Sequence, residues 1–265
     1  MLTFLLSLAC FTSTEEMEAI GPTRNDLPNV IVVTLDTTRA DAMGAYGGPE
    51  GITPVFDDWA SRGLFFEWAF SHSPTTLSSH SSLFTGLDPH GHAVPRNGFP
   101  LADAFETLAE RLQSHGYDTL GVVGASVLNA EMGIQQGFRL FDDETPLDMG
   151  RRYEDRADSV TRRAIALLER REKDRPVFLW VHYYDAHSPY NAPRDSQERY
   201  VDLTHRIQSS EGTSFDRLAD RLRAGQMPQE DLNHLIGLYH AEVAWTDSQM
   251  GRLFGILESE KLLEN

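Results

Sequence analysis

A hydroxyl-rich segment, residues 74–86 (PTTLSSHSSLFTG), has the residue types of a reaction site. It places Thr76 just before a predicted helix, with four serines and His80 following it. Either Ser78 or Ser79 can cap that helix. A helix N-terminus presents unpaired N–H groups and the positive end of the helix dipole, which favour an ionising alcohol or a tetrahedral oxyanion. The alternative is a Ser/Thr-rich loop that caps an ordinary helix.

Further polar groups follow two predicted strands. Asp36 ends the run PNVIVVTLD, and His182, Asp185 and His187 lie in VHYYDAHSPY at the end of another run. Singly, each has an ordinary alternative, since a strand-ending Asp is often a turn residue and spaced histidines often lie in a surface loop. In an open α/β sheet the carboxyl ends of the strands meet at one crevice. We therefore expect these polar side chains to converge at that crevice and to form a functional site.

Alternating strands and helices are predicted to position these residues. The β-branched run before Asp36 is typical of a strand buried on both faces, as in the centre of a parallel sheet. The order indicates an α/β sandwich with a largely parallel central sheet and helices on both faces. Predicted helices cover residues 53–62, 104–115, 153–173, 215–223 and 229–257, and predicted strands cover residues 28–36, 64–70, 117–123 and 176–185.

Length and charge limit the function classes. A chain of 265 residues that is 40% hydrophobic can bury one sizeable core, and residues 28–265 are predicted to form one domain. The net charge of −17 opposes binding to nucleic acid. It does not exclude a small anionic substrate, because a metal ion or a helix terminus can reverse the field inside one cleft.

The single cysteine, Cys10, excludes an internal disulfide framework and a cysteine-based metal site. It ends the apolar run LTFLLSLAC, which resembles the lipobox of bacterial lipoproteins, although Ser7 replaces the usual aliphatic residue and no basic residue precedes Leu2. Cys10 is therefore a candidate lipid anchor in a bacterial periplasm or envelope, with residues 1–27 as leader and polar linker. The alternative is an unstructured N-terminus with a chance cysteine.

Four blocks of sequence, in order from residue 28 to the end, together resemble the N-terminal domain of the sulfatase family, in the alkaline phosphatase superfamily. The blocks are PNVIVVTLDTTRADAMGAYG, TPVFDDWASRGLFFEWAFSHSPTTLSSHSSLFTGLDPHGHAV, PVFLWVHYYDAHSPY and YHAEVAWTDSQMGRLFGILE. The resemblance implies an alkaline phosphatase-like fold. It also implies a metal-dependent hydrolase of sulfate or phosphate esters, whose substrate is a small anionic ester, free or on a glycan or lipid.

The resemblance assigns roles where positions match. Asp36 matches the acid that ligates a divalent metal in sulfatases, usually calcium, with magnesium, manganese and zinc as alternatives. Arg39 matches an arginine beside the metal site. His187 matches a histidine that contacts the anion or the leaving group, where an imidazole can act as general acid.

The segment around Thr76 departs from the family pattern. Thr76 occupies the position of the Cys or Ser that sulfatases oxidise to formylglycine, and His80 occupies that of the motif's arginine. No formylglycine is expected, because a secondary alcohol cannot be oxidised to an aldehyde. The remaining mechanism is direct attack by the Thr76 hydroxyl, activated by a metal that Asp36 and Thr76 hold. In this mechanism His80 and His187 hold the anion or protonate the leaving group. Thr75, Ser78 and Ser79 compete for the same role.

A second departure is the absence of the family's Asp-His-Gly motif, which supplies further metal ligands, before Asn265. The chain is therefore expected to be an N-terminal piece of a larger enzyme, incomplete at its C-terminus. Two other functions stay open. One is a transferase that passes a phosphodiester-linked or phosphoethanolamine-type group to an alcohol, and the other is a non-catalytic fragment.

Overall fold

A computed structural model describes residues 27–144, 155–205, 207 and 215–264. Its centre is a four-stranded, wholly parallel sheet with strand order β1-β4-β2-β3. The predicted α/β fold with a parallel sheet is confirmed. The strands are β1 (Val30–Leu35), β2 (Asp118–Val123), β3 (Leu140–Asp142) and β4 (Val177–Tyr183).

Helices cover both faces of the sheet, as predicted. Side chains of β4 alternate between two apolar clusters, with Leu179 and Val181 in one and Phe178 and Trp180 in the other. The first cluster includes residues of α4 and α7, and the second includes residues of α2 and α3. The helices are α1 (Pro54–Arg62), α2 (Thr76–Thr85), α3 (Leu108–Ser114), α4 (Ala157–Glu169), α5 (Arg194–Gln197), α6 (Phe215–Arg223) and α7 (Gln229–Ser259).

Strand β1 lies at one edge of this sheet and not in its centre. Its only partner strand among the described residues is β4, and all six of its residues are half-buried. The predicted position in the centre of the sheet was therefore wrong. Packing on both faces is confirmed, because Ile31, Val33 and Leu35 pack against one apolar cluster and Val30 and Val32 against the other. A continuous apolar run indicates what packs against the faces of a strand, and it does not reveal how many strands pair with its edges.

Residues 64–70 (LFFEWAF) were predicted as a strand and form none. The segment is irregular and does not pair with the sheet, and Leu64, Trp68 and Phe70 are each at least 79% exposed. β-propensity reflects packing against neighbours on a pleated surface, and in the described part of the chain this segment has no such surface. The β, α, β order predicted here is therefore absent.

Two helices begin later in the structure than predicted. Helix α3 begins at Leu108 instead of residue 104, because Thr107 takes the N-cap position and forms a reciprocal capping box with Glu110. Helix α4 was predicted over residues 153–173 and occupies Ala157–Glu169, although residues 153–154 lie outside the described part. Short strand β3 was not predicted, since three residues carry too little pattern.

No described helix is long and apolar enough to cross a membrane. The predicted leader and the candidate lipid anchor at Cys10 lie outside the described residues.

Candidate active site

Asp36 and Thr76 meet at the carboxyl end of the sheet. Asp36 directly follows β1, and its backbone N–H donates to the carbonyl of Tyr183 over 2.9 Å. Thr76 is the first residue of α2, and its Oγ1 donates to Asp36 Oδ2, also over 2.9 Å. The predicted contact between these elements therefore exists, and the carboxylate is the acceptor for the hydroxyl proton.

The Asp36 carboxyl is largely buried. Its side chain is only 8% exposed, and burial raises its pKa above the ordinary value. The hydrogen bond from Thr76 and the nearby charge of His187 act in the opposite direction and favour the carboxylate. His187 is thus within electrostatic range of Asp36, although it lies on a different loop.

The hydroxyl groups around α2 differ in their hydrogen-bond partners. Thr75 is the N-cap residue without a side-chain cap, and its hydroxyl bonds to Ser73. Ser78 is fully buried and donates to the carbonyl of Val94, so Ser78 does not cap the helix.

Ser79, the other predicted cap, donates to the carbonyl of Thr76. The first turn of α2 is capped from outside by Asn97, whose Oδ1 accepts from the backbone N–H of Leu77 over 2.8 Å. The predicted cap by Ser78 or Ser79 was therefore wrong, because both serines lie inside the helix.

His80 lies one turn along α2 from Thr76. Its Nδ1 bonds to the carbonyl of Thr76 over 2.7 Å, and a carbonyl can only accept, so Nδ1 carries the proton. Burial lowers the pKa of His80 to about 4, which makes its ring neutral at neutral pH. Its Nε2 is buried without a hydrogen-bond partner.

His182, near the end of β4, lies between His80 and Asp36. Its ring meets that of His80 edge-on with centroids 4.7 Å apart, and its Nε2 lies 3.6 Å from Asp36 Oδ2. Its Nδ1 bonds to Thr34 Oγ1 over 2.8 Å, and Thr34 also accepts from Trp180 Nε1. Full burial and the neighbouring His80 lower the pKa of His182, so this ring too is neutral at neutral pH.

His187 lies on the loop after β4. Its ring stacks on Tyr184 with centroids 4.4 Å apart, and its Nδ1 donates to the carbonyl of Ser188 over 2.7 Å. These two contacts orient the ring and leave Nε2 as the nitrogen not engaged by Ser188. The turn before it requires Ala186 at φ 78°, a left-handed conformation uncommon for a residue with a Cβ.

Asp185, which was also predicted to converge on the site, lines a small cavity that includes His187. It is 7% exposed, and Asp155, Arg156 and Glu242 line the same cavity. Burial, reinforced by the charge of Glu242, raises the pKa of Asp185 well above the ordinary value. Asp185 therefore lies between the loop of His187, the start of α4 and α7, and its part in the site stays a prediction.

A cleft of about 570 Å³ borders the site. Thr37 and His187 belong to its lining, together with Arg39 and Tyr239. The Tyr239 hydroxyl donates to the carbonyl of Thr37 and accepts from the backbone N–H of Arg39, so α7 anchors the turn after β1. That turn holds Thr37 at φ 48°.

The donors at the site fit part of a divalent cation shell. The Asp36 carboxylate and the Thr76 hydroxyl supply oxygen ligands of the kind that calcium and magnesium prefer. Within the described ranges, no group of three or more His, Cys, Asp or Glu side chains is arranged to hold a metal ion. A cation bound here would therefore complete its coordination with donors besides these two residues.

Three residues that position the site were not singled out from the sequence. They are Thr34, which bonds His182, Asn97, which caps α2, and Tyr239, which holds the turn after Asp36. Only Thr34 carries a sequence signal, since the parallel register of two predicted strands pairs it with His182. Asn97 and Tyr239 act on backbone groups of other segments, and their residue types alone do not reveal those contacts.

Comparison with known proteins identifies a family. The sulfatase family model matches residues 28–265. The uncharacterized sulfatase YidJ of Escherichia coli is 24% identical, over 88% of this chain and 54% of that protein. An N-acetylglucosamine-6-O-sulfatase of Bacteroides thetaiotaomicron is 25% identical, over 63% of this chain and 32% of that protein. The chain spans about half the length of the first relative and less of the second.

Solved structures share the fold, including that of a protein in the alkaline phosphatase superfamily. The phosphonate monoester hydrolase of Agrobacterium radiobacter matches with a TM-score of 0.67 and 22% identity, over 89% of this chain and 60% of that one. The C-terminal periplasmic domain of EptC from Escherichia coli was solved in complex with zinc. It matches with a TM-score of 0.61 and 14% identity, over 88% of this chain and 60% of that one.

Proposed function

This chain belongs to the sulfatase family, and from that membership and the geometry of its site we propose that it hydrolyses sulfate esters with Thr76 as the nucleophile. The observation that carries this proposal is the 2.9 Å hydrogen bond from Thr76 Oγ1 to Asp36 Oδ2. It gives a weakly acidic alcohol an adjacent acceptor for its proton.

The reaction has two steps. Thr76 Oγ1 attacks the sulfur, its proton passes to Asp36 Oδ2, and the bond from sulfur to the ester oxygen breaks. The products are a Thr76 sulfate ester and an alcohol, whose oxygen takes a proton from His187 Nε2. Water then attacks the sulfur and gives a proton to His187 Nε2, and the bond from sulfur to Thr76 Oγ1 breaks. Thr76 Oγ1 takes its proton back from Asp36, which releases hydrogen sulfate and restores both side chains.

The remaining residues position these groups. We assign His80 and His182 to this role, since both rings are buried and neutral and flank Thr76 and Asp36. A divalent cation held by Asp36 and Thr76, calcium in the first instance, would lower the pKa of the hydroxyl and neutralise charge on the sulfate group. No formylglycine takes part, because Thr76 cannot form one.

Substitution of Thr76 tests the proposal. With calcium, manganese or zinc supplied, we expect the chain to hydrolyse 4-nitrophenyl sulfate. Thr76→Ala is expected to lower kcat by at least about 10³-fold, because it removes the nucleophile, whereas Thr76→Ser keeps a hydroxyl and part of the activity. A sulfated Thr76 peptide, detected by mass spectrometry after rapid quenching, would identify the intermediate.

Thr75→Ala is the matched control, since Thr75 is adjacent and bonds to Ser73 instead of Asp36. We expect it to keep near-full activity. Full activity in Thr76→Ala would contradict the assignment of the nucleophile, and absence of turnover with every cation would contradict the catalytic proposal for this chain.

A second candidate is a phosphoryl-group reaction at the same residues. The fold match to a phosphonate monoester hydrolase favours it, because the superfamily fold also serves phosphorus substrates. Bis(4-nitrophenyl) phosphate and a 4-nitrophenyl phosphonate, assayed beside the sulfate, distinguish the two. A higher kcat/KM for either phosphorus ester would make this candidate the better one, and release of nitrophenol without inorganic product when glycerol is added would indicate transfer.

A further inference from the structure

The cleft beside the site combines polar residues with an apolar wall. Its lining includes Thr37, the residue after Asp36, and His187, so the cleft borders the reacting groups. Its apolar wall is formed by side chains of α6, α7 and the connection between them: Leu218, Leu222, Met227, Leu232, Leu235 and Ile236. Leu222 and Ile236 remain 48% and 43% exposed there, which is unusual for large apolar side chains that converge on one cavity.

The charged groups of the cleft are already paired with each other. Arg39 and Asp41 form an ion pair of 2.5 Å, with two hydrogen bonds between them. Binding a sugar ring requires polar partners for several hydroxyls, and each unmet partner costs free energy. The lining also contains Ser188, Tyr190, Tyr239 and His240, so the cleft is not wholly apolar. The leucine, isoleucine and methionine side chains of the wall provide no polar partner, whereas they gain free energy by covering an apolar group.

From this surface we infer that the organic part of the ester substrate is apolar, an alkyl or alkyl-aryl group that lies on the wall formed by α6 and α7 while the anion lies at Asp36 and Thr76. The inference rests on the proposed function, and it deepens it by naming the substrate class. The net charge of −17 acts in the same direction, since it disfavours a polyanionic glycan more than an ester with a single charge.

A chain-length series tests the inference. We expect kcat/KM for 4-alkylphenyl sulfates to rise by about threefold per methylene from methyl to hexyl, because each added methylene is buried on the wall. Glucosamine 6-sulfate is expected to be a poorer substrate than phenyl sulfate. A flat series, or a preference for glucosamine 6-sulfate, would overturn the inference and leave the proposed function intact.

Substitutions on the wall provide the second test. Leu222→Ser and Ile236→Ser are expected to lower kcat/KM for 4-hexylphenyl sulfate by about tenfold more than they lower kcat/KM for phenyl sulfate. Leu83→Ser and Leu87→Ser are matched controls, since these leucines are 51% and 41% exposed and lie outside the cleft. Equal losses on both esters, or losses in the controls, would overturn the inference.

Binding of sulfonates separates this inference from the reaction. Alkylbenzenesulfonates present the same anion and apolar group, and their carbon–sulfur bond is not hydrolysed. By calorimetry, 4-hexylbenzenesulfonate is expected to bind at least about 30-fold more tightly than benzenesulfonate, and Ile236→Ser is expected to remove most of that gain. If the sulfonates bind in this pattern while no ester is turned over, the inference of an apolar binding wall is supported and the proposed function is contradicted. Equal binding of the two sulfonates would overturn the inference.

Discussion

At the scale of single residues, two neutral imidazoles lie near one carboxylate. His182 lies beside Asp36 and His80 lies beside His182, and burial lowers the pKa of each ring, so neither brings a positive charge to the site at neutral pH. The buried Nε2 atoms of both rings make no hydrogen bond in the described structure. His187, by contrast, lines the cleft and acts electrostatically on Asp36.

A residue-scale prediction concerns Asp185. Its carboxyl faces Glu242 from α7, while Asp158 and Arg156 lie near it at the start of α4. Because its pKa in the folded chain is raised well above the unfolded value of 3.8, the folded state binds the proton more tightly. The contribution of Asp185 to the free energy of unfolding therefore falls as pH rises above about 4.

Asp185→Asn removes this titration. We expect the variant to gain stability relative to the wild type between pH 4 and pH 8, measured as the difference in free energy of unfolding from urea titrations at each pH. Asp158→Asn, at a half-buried carboxylate of the same cluster that is paired with Arg156, is the control with a smaller difference. A constant difference between wild type and Asp185→Asn across this range would contradict the prediction.

At the scale of elements, α7 holds the start of α1 through one carboxylate. Asp247 Oδ2 accepts from the backbone N–H of Val55 and Oδ1 from that of Phe56, each over 2.9 Å. The N-cap residue of α1, Thr53, makes no side-chain cap, so Asp247 replaces a local cap with one from the C-terminal part of the chain. Burial raises the pKa of Asp247 to about 6, although both N–H groups favour its charged form.

Removing this cap is expected to destabilise the chain. Asp247→Ala leaves two backbone N–H groups of α1 without their acceptors and is expected to lower the free energy of unfolding by about 1–3 kcal/mol. Asp247→Asn keeps one acceptor oxygen and should lose less. Urea denaturation measures both, and Ser248→Ala, an exposed neighbour on α7, is the control. A loss in Asp247→Ala no larger than that of the control would contradict the assigned cap.

At the scale of the whole molecule, polar and apolar surface are unevenly distributed. The chain has a net charge of −17, yet residues 64–70 present large apolar side chains to solvent, with Phe66 at 69%, Trp68 at 79% and Phe70 at 80% exposed. Contiguous exposed apolar surface promotes association between chains, and net charge of one sign opposes it.

The combined variant Trp68→Ser and Phe70→Ser tests that balance. We expect it to change the free energy of unfolding by less than about 0.5 kcal/mol, because neither side chain is buried. It should also lower self-association in salt that screens the net charge. Light scattering at low and high ionic strength measures the association. Unchanged scattering at high salt, or a large loss of stability, would contradict the prediction.

The sequence by itself determines the fold class and the ends of the elements that carry the site. Apolar runs, helical periodicity and capping residues are local, so they predict β1, β2, β4 and α7 within a few residues. The same local pattern places Asp36 after β1 and Thr76 at the start of α2. Family resemblance adds the expectation that these two residues meet, and they do so through one hydrogen bond.

Only the tertiary structure decides which side chains complete the site. His182 leaves β4 on the side that faces α2, whereas Asp185 follows the end of the strand and lines a second cavity, which it shares with His187. Thr76, among several hydroxyls, is the one within reach of Asp36, and Asn97 rather than a serine caps its helix. Direction and reach depend on packing between segments far apart in the chain, which a local pattern does not encode.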